Sequence, residues 1–203
     1  MSYDVKQINY RDVLPFLLEI HYAKKVPSVI QYSFGLFANI KGLGYDLFEK
    51  KDLVGVITYG IPASNSLCKG VAGEQNADKV LELSRLCFKF NKKNEASILV
   101  GRSLKLLPTP KIIVSYADTA HNHIGYVYQA TNFLFTGTTK PRTDMAGKDG
   151  KHSRHHLGDR TKRVFRSAKH RYLFVIGNKR DKKKLLKQIK YPIQNYPKQM
   201  ESI

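Results

Sequence analysis

Between Lys111 and Gly137 the chain reads KIIVSYADTAHNHIGYVYQATNFLFTG: a strand, a polar loop, a short helix and a second strand. The first strand is apolar and β-branched through Ile112, Ile113 and Val114. It breaks off at Ser115-Tyr116-Ala117-Asp118, where polar groups crowd the tip of an element that belongs in a core. His121-Asn122-His123 and Gly125 follow, the glycine letting backbone approach a ligand or a neighbouring element closely. Tyr128 and Gln129 fall on the helix, and strand character resumes from Asn132 to Thr136. Polar side chains at a strand end beside a helix start are where α/β proteins build sites. The segment also reads as an ordinary connection in which Asp118 caps the next helix and the histidines are solvated.

A chain of 203 residues, 42% of them hydrophobic, can bury a full core in one domain. No apolar run approaches the roughly 18 residues of a membrane span, and Met-Ser-Tyr-Asp-Val-Lys has no signal-peptide character. Cys68 and Cys87 form no CxxC pair, which favours a reducing cytoplasm over a disulfide framework. The net charge of +19 is unevenly placed: residues 139–190 hold 18 Lys and Arg against four Asp, or +14. Such a field attracts polyanions, nucleic acid first; an acidic protein, an anionic membrane surface or mere solubility are the other readings. With no tryptophan present, base stacking falls to Tyr, Phe, His or Arg.

Taken in order, Asp12 to Ala23 reads as a helix with Asp12 as N-cap and Pro15 in its first turn. His21-Tyr22 stands where that helix gives way to a loop. Tyr32 to Asn39 is a strand, and Tyr45–Phe48 with Leu53–Tyr59 forms a hairpin through residues 49–52. Residues 60–66 are a loop, and Val80 to Phe88 is a strand whose Arg85 shares a face with Leu81, Leu83 and Cys87. A cation there must pair, for instance with Asp118, or point into a polar cleft. Asn94 caps a helix over Glu95–Leu107 whose N-terminus, with Ser97 in its first turn, suits a phosphate. Lys140 to Lys169 is a long basic loop, in which His152, His155 and His156 suit phosphates better than zinc. His170–Gly177 is the last strand, Lys179–Lys190 a basic helix, and residues 191–203 a tail.

This element order matches the acyl-CoA-binding acetyltransferase fold called GNAT, an α/β (α+β) class with a mixed, mainly antiparallel central sheet flanked by helices. The expected organisation is one domain over 1–203, with the basic loop 139–169 as an insertion. A narrower likeness lies in His21-Tyr22, LVGVITYGIPAS at 53–64, LELSRL, Asn94…Ser97, IIVSYAD, His123-x-Gly125-x-x-Tyr128-Gln129-Ala130-Thr131-Asn132-Phe133 and Lys169-His170-Arg171-Tyr172. Together, over residues 10–180, these resemble the Mom family of phage-encoded DNA adenine-modification proteins. The glycine-rich pyrophosphate loop of ordinary acetyltransferases is replaced here by Asn91-Lys92-Lys93-Asn94-Glu95-Ala96-Ser97.

The resemblance implies conversion of adenine in DNA to an N6-carbamoylmethyl form, protecting phage DNA from restriction in the cytoplasm of an infected or prophage-bearing bacterium. His21, Tyr22, Asp118 and Tyr128 are the implied catalytic set, with Tyr128 protonating the departing CoA thiolate. Arg85, Asn94 and Ser97 would hold acetyl-CoA or a related acyl-CoA. Lys151, Arg154, Arg160, Lys162, Arg163, Lys169 and Arg171 would clamp DNA whose adenine is flipped or single-stranded, with Tyr32, Tyr59 or Tyr126 stacking on it. Acyl transfer joins N6 to a carbonyl carbon, whereas the family's product joins it to a methylene carbon. That mismatch favours an extra cofactor, with iron held by some of His21, Tyr22, Asp118, His121 and His123 as the candidate. Two other functions compete: an acetyltransferase acting on a protein or small-molecule amine, and a non-catalytic DNA-binding protein of this fold. Oligomeric state, a dimer included, is left open.

Overall fold

Residues 2–40, 50–145 and 163–198 are described by the computed structural model of the chain. Seven of the described strands form one sheet: β1 (Tyr3–Gln7), β2 (Tyr32–Ile40), β3 (Lys50–Gly60), β4 (Val80–Phe88), β5 (Lys111–Asp118), β6 (Leu134–Thr138) and β9 (Lys169–Ile176). Their spatial order is β1-β2-β3-β4-β5-β9-β6. Neighbours are antiparallel except β4 and β5, which are parallel because a helix, α3 (Glu95–Leu106), crosses over between them. β7 (Arg142–Met145) and β8 (Arg163–Arg166) make a separate two-stranded antiparallel ribbon.

The one parallel junction is short. Only Val80–Glu82 pair with Ile112–Val114; beyond that β4 runs on to Phe88 and β5 to Asp118 without a shared ladder. The two strands therefore part, and the sheet is split from that point to its edge. Alternating side chains fill both faces. Leu81, Leu83, Ile113 and Tyr59 pack under Leu99, Val100 and Leu104 of α3 and under Tyr128 and Phe133. On the opposite face Val80, Ile112, Val114 and Leu173 meet Cys68 and Val71 of α2 (Asn65–Ala72) and Leu185 of α5 (Lys179–Gln188). Val13, Phe16 and Leu17 of the first helical segment cover Val56 and Cys87.

Several local expectations are corrected. Helix α1 (Tyr10–Pro15) begins at Asn9, and Asp12 is its third residue, accepting the Asn9 N–H at 3.2 Å. Lys50, Lys51 and Asp52 are strand residues of β3, paired with β2, while Tyr45–Phe48 lie outside the described residues. β1 and α2 escape a reading by pattern, the former because five residues with one clear alternation carry little signal. The described part of the basic loop contains the ribbon strands β7 and β8. The tail is packed: Gln194 N–H reaches Phe135 O at 2.9 Å, and the Tyr196 hydroxyl reaches Phe133 O at 2.8 Å.

Candidate active site

His21 and Tyr22 are set by a change of helical pitch. Pro15 ends α1, and Phe16–Ile20 continue as a π-turn that closes with the His21 N–H on Phe16 O at 2.8 Å. The extra residue in that turn swings His21 into a buried position, 7% exposed, and leaves Tyr22 exposed beside it. Their rings stack at 4.5 Å, and Tyr22 also meets His121 edge-on at 4.8 Å. The Ala23 N–H donates to His21 Nδ1 at 3.1 Å, so the neutral ring carries its proton on Nε2. Burial, helped by the Arg85 charge, lowers the imidazole pKa to about 4.

Arg85 leaves the face first expected for it. Between Thr58 and Tyr59 the β3–β4 register slips, so that Tyr59 opposes Leu83 and Thr58 opposes Arg85. Ser84 is the extra residue, and its hydroxyl meets Thr58 Oγ1 at 2.9 Å. Arg85 donates through Nε to Lys25 O at 3.2 Å and from its guanidinium to Ser84 O at 2.7 Å. The ion pair with Asp118 weighed from sequence is replaced by these bonds.

Asp118 ends β5. Its Oδ1 accepts the Ala120 N–H at 3.0 Å, capping the turn Thr119–His121, and also the Ser167 hydroxyl. Lys169 Nζ lies 3.4 Å from Oδ2. Burial raises the carboxyl's pKa, but Ser167, Ala120 and Lys169 together outweigh it and the net shift is downward. Helix α4 (Tyr126–Ala130) starts at Gly125, which has a φ of +81° and where a Cβ would stand 2.5 Å from the Tyr172 ring, so only glycine fits. Tyr128 is buried on this helix; burial pushes its phenol up to about 12, against the lowering effect of a side-chain hydrogen bond with Ser115.

A cavity of about 410 Å³ fills the split between β4 and β5, and His21, Tyr22, Arg85, Asp118 and Tyr128 all line it. Asn91 and Ala96, flanking the start of α3, line it as well. Sequence reasoning named Asn91 only as part of the stretch that replaces the glycine-rich loop, not as a site residue. Asn91 and Asn94 hold φ of +46° and +69°, supplying without glycine the left-handed turns of the loop before α3. Asn94 stands at the N-cap position but makes no side-chain cap. Ser97 donates to Asn94 O at 3.1 Å and lines a different cavity with Gly101, Thr109 and Phe174. The structure thus brings Arg85 to the site but neither Asn94 nor Ser97.

The expected iron ligands His21, Tyr22 and Asp118 line one cavity, with His123 beside them. Among the described residues no three His, Cys, Asp or Glu side chains gather closely enough to hold a metal ion. His21 Nδ1 is occupied by a backbone donor, and Asp118 by Ser167, Ala120 and Lys169.

A second cavity, about 630 Å³, shares Tyr116 with the first and is strongly basic. Lys140, Arg142, Arg166, Lys169 and Arg171 line it, with Arg171 stacked 3.4 Å from the Tyr191 ring centroid. Asp144 ties Arg142 at 3.2 Å and Arg166 at 3.4 Å. Glu82 also opens into it, its carboxyl raised by burial. Of the residues expected to clamp DNA, Lys169 and Arg171 are here and Arg163 is exposed on β8. Lys151, Arg154, Arg160 and Lys162, with His152, His155 and His156, lie outside the described residues. Tyr59 cannot stack on a ligand: it is fully buried and bonded to Ser103 at 2.8 Å. Tyr32 packs against the main core, whereas Tyr126 is 64% exposed and lines the first cavity.

Three comparisons bear on the chain. A probable acetyltransferase from Staphylococcus epidermidis, 10% identical, superposes with a TM-score of 0.50 over 87% of this chain and 100% of that one. A Salmonella typhimurium protein whose structure holds its cofactor acetyl-CoA is 8% identical, with a TM-score of 0.50 over 88% of this chain and 96% of that one. At such identities they show the fold: the mixed α/β, GNAT-like sheet expected from the element order. The methylcarbamoylase Mom of Escherichia phage Mu is 30% identical over 107 residues, 50% of this chain and 44% of that protein, so the match spans less than half of that relative. A sequence model of the Mom protein family matches residues 2–198, from the first described residue to the last. The chain belongs to the Mom protein family.

Proposed function

We propose that this chain is a DNA-modifying transferase that places a two-carbon unit from an acyl-CoA-type donor on N6 of adenine. The product would be the N6-carbamoylmethyl base, which shields phage DNA from host restriction inside the infected cell. The convergence of His21, Arg85, Asp118 and Tyr128 on the cavity between the parted strands carries this reading. The name of the phage Mu relative, a methylcarbamoylase, supports it.

The donor fits the split. Arg85, Asn91 and Ala96 line one cavity with Asp118 at the end of β5. A bound thioester supplies an electrophilic two-carbon unit and a thiolate leaving group. Tyr128 keeps its proton far above neutral pH and so acts only as a donor, the role a departing thiolate needs. His21, with its proton on Nε2, is likewise a donor into the cavity rather than a base. Asp118 is ionised and braced, placed to accept a hydrogen bond from an exocyclic amine.

Adenine N6 is paired and stacked in a duplex, so the base must leave the helix or be met single-stranded. The cation-lined second cavity supplies phosphate contacts beside the first, joined to it through Tyr116 and through the Asp118–Lys169 pair. A small-molecule acetyltransferase has no use for that field. Proton transfer by these side chains does not move N6 from a carbonyl to a methylene carbon, so the amide nitrogen and that rearrangement require a co-reactant besides the thioester. Plasmid DNA from cells expressing the chain should resist nucleases whose sites contain adenine, and plasmid from cells expressing Asp118→Asn should be cut. Equal cutting of both plasmids would count against the proposal.

A further inference from the structure

The ribbon β7–β8 carries an exposed aromatic that the fold does not use. Phe165 is 70% exposed, the highest value among the large hydrophobic residues described, and it belongs to none of the three apolar cores. It stands opposite Thr143, between Arg163 and Arg166, on a ribbon whose Arg142 and Arg166 line the basic cavity. A single exposed ring needs no explanation by itself, but this one stands on a cation-rich ribbon beside the site.

Its position narrows what that something is. Phe165 is two residues from Ser167, whose hydroxyl holds the Asp118 carboxylate. Two residues of chain reach at most about 7 Å, so the ring is tethered beside the site where an extruded adenine would be held. Removing a base from a duplex leaves a gap in the stack, and apolar side chains inserted between base steps stabilise that opened state. Arg163, on the same face of the ribbon as Phe165, and Arg166, on the other, fit phosphates on either side of such a gap, and a two-stranded ribbon is narrow enough to enter the major groove.

We propose that Phe165 is a wedge that enters the base stack of duplex DNA as the target adenine leaves it. The inference rests on the DNA-modification reading and makes Phe165 a positioning residue, one that acts on the base pair rather than on the donor. It commits the ribbon to duplex DNA as its occupant.

The test uses plasmid-derived duplex in which 2-aminopurine replaces a fraction of the adenines, so that every sequence context is sampled. Wild-type protein should raise the fluorescence as bases unstack. Phe165→Ala should bind with the same salt dependence yet give a rise at least about twofold smaller, and Phe165→Leu should restore it. On single-stranded DNA of the same composition the two proteins should bind alike. An undiminished rise with Phe165→Ala, or no rise with wild type, overturns the wedge. The parent reading is decided separately: modified deoxyadenosine in DNA from expressing cells would keep it standing even if the wedge fails.

Discussion

Asp118 and Lys169 face each other at the last register pair of β5 and β9, with the ammonium 3.4 Å from the carboxylate. Asp118 lines the cavity between the parted strands, and Lys169 lines the basic cavity beside it. One ion pair therefore joins the wall of the proposed donor site to the wall of the proposed DNA site. Ser167, which also grips Asp118, belongs to the basic side as well.

Replacing that carboxylate should separate chemistry from binding. Asp118→Asn keeps the shape and the Ser167 contact but removes the charge. The fraction of modified adenine should fall about 10²-fold, the scale of losing one charged group aimed at a reacting centre. DNA affinity should stay within about twofold, and stability should drop by no more than about 1 kcal/mol, since the Lys169 partner is exposed to screening solvent. Gel-shift and denaturation measurements on the purified variant check both.

Tyr128→Phe should lower modification by about 10²-fold, the usual contribution of a general acid. The ring still fills its place against Phe133 and Tyr172, so the melting temperature should hold. A variant with unchanged modification would remove the phenol from the chemistry.

His21 makes stability depend on pH with a definite sign. Its folded pKa, about 4, lies below the 6.5 of the free group, so between these values the unfolded chain binds more protons. The His21 contribution is present above about pH 6.5 and is lost as pH falls toward 4. Urea denaturation should give a lower midpoint at about pH 5 than at about pH 7.5, and His21→Gln should narrow that gap. Nitrogen chemical shifts of the ring should show the proton on Nε2 throughout the neutral range.

The basic cavity predicts a salt signature. Exchanging Arg142 and Arg166 for Ala should weaken binding to all sequences alike and reduce the slope of log affinity against log salt by about 0.9 for each phosphate left unneutralised. Exchanging Lys24 and Lys93, which line neither of these two cavities, should leave the slope unchanged.

Much of the fold is legible in the chain. The β5 tip, the α4 turn at Gly125 and the strand Val80–Phe88 follow from β-branched runs, a glycine needing positive φ, and abrupt changes of polarity. What stays hidden depends on register or on distant partners. The slip at Ser84 sends Arg85 to the other face, and a two-residue alternation cannot announce a bulge. The π-turn that aims His21 arises from packing after Pro15 rather than from any periodicity. Ser97 suggests a phosphate ligand by its place in a first turn, but its hydroxyl is spent on Asn94. The basic cavity joins residues from 63 to 191, a gathering no local pattern records.

The central claim is tested most directly by mass spectrometry of nucleosides from the DNA of cells expressing the chain, grown with uniformly carbon-13-labelled acetate. A modified deoxyadenosine heavier by the two labelled carbons, present with wild type and depleted with Tyr128→Phe, is the predicted result. Unmodified deoxyadenosine throughout, with folded protein abundant in the same cells, would contradict the account.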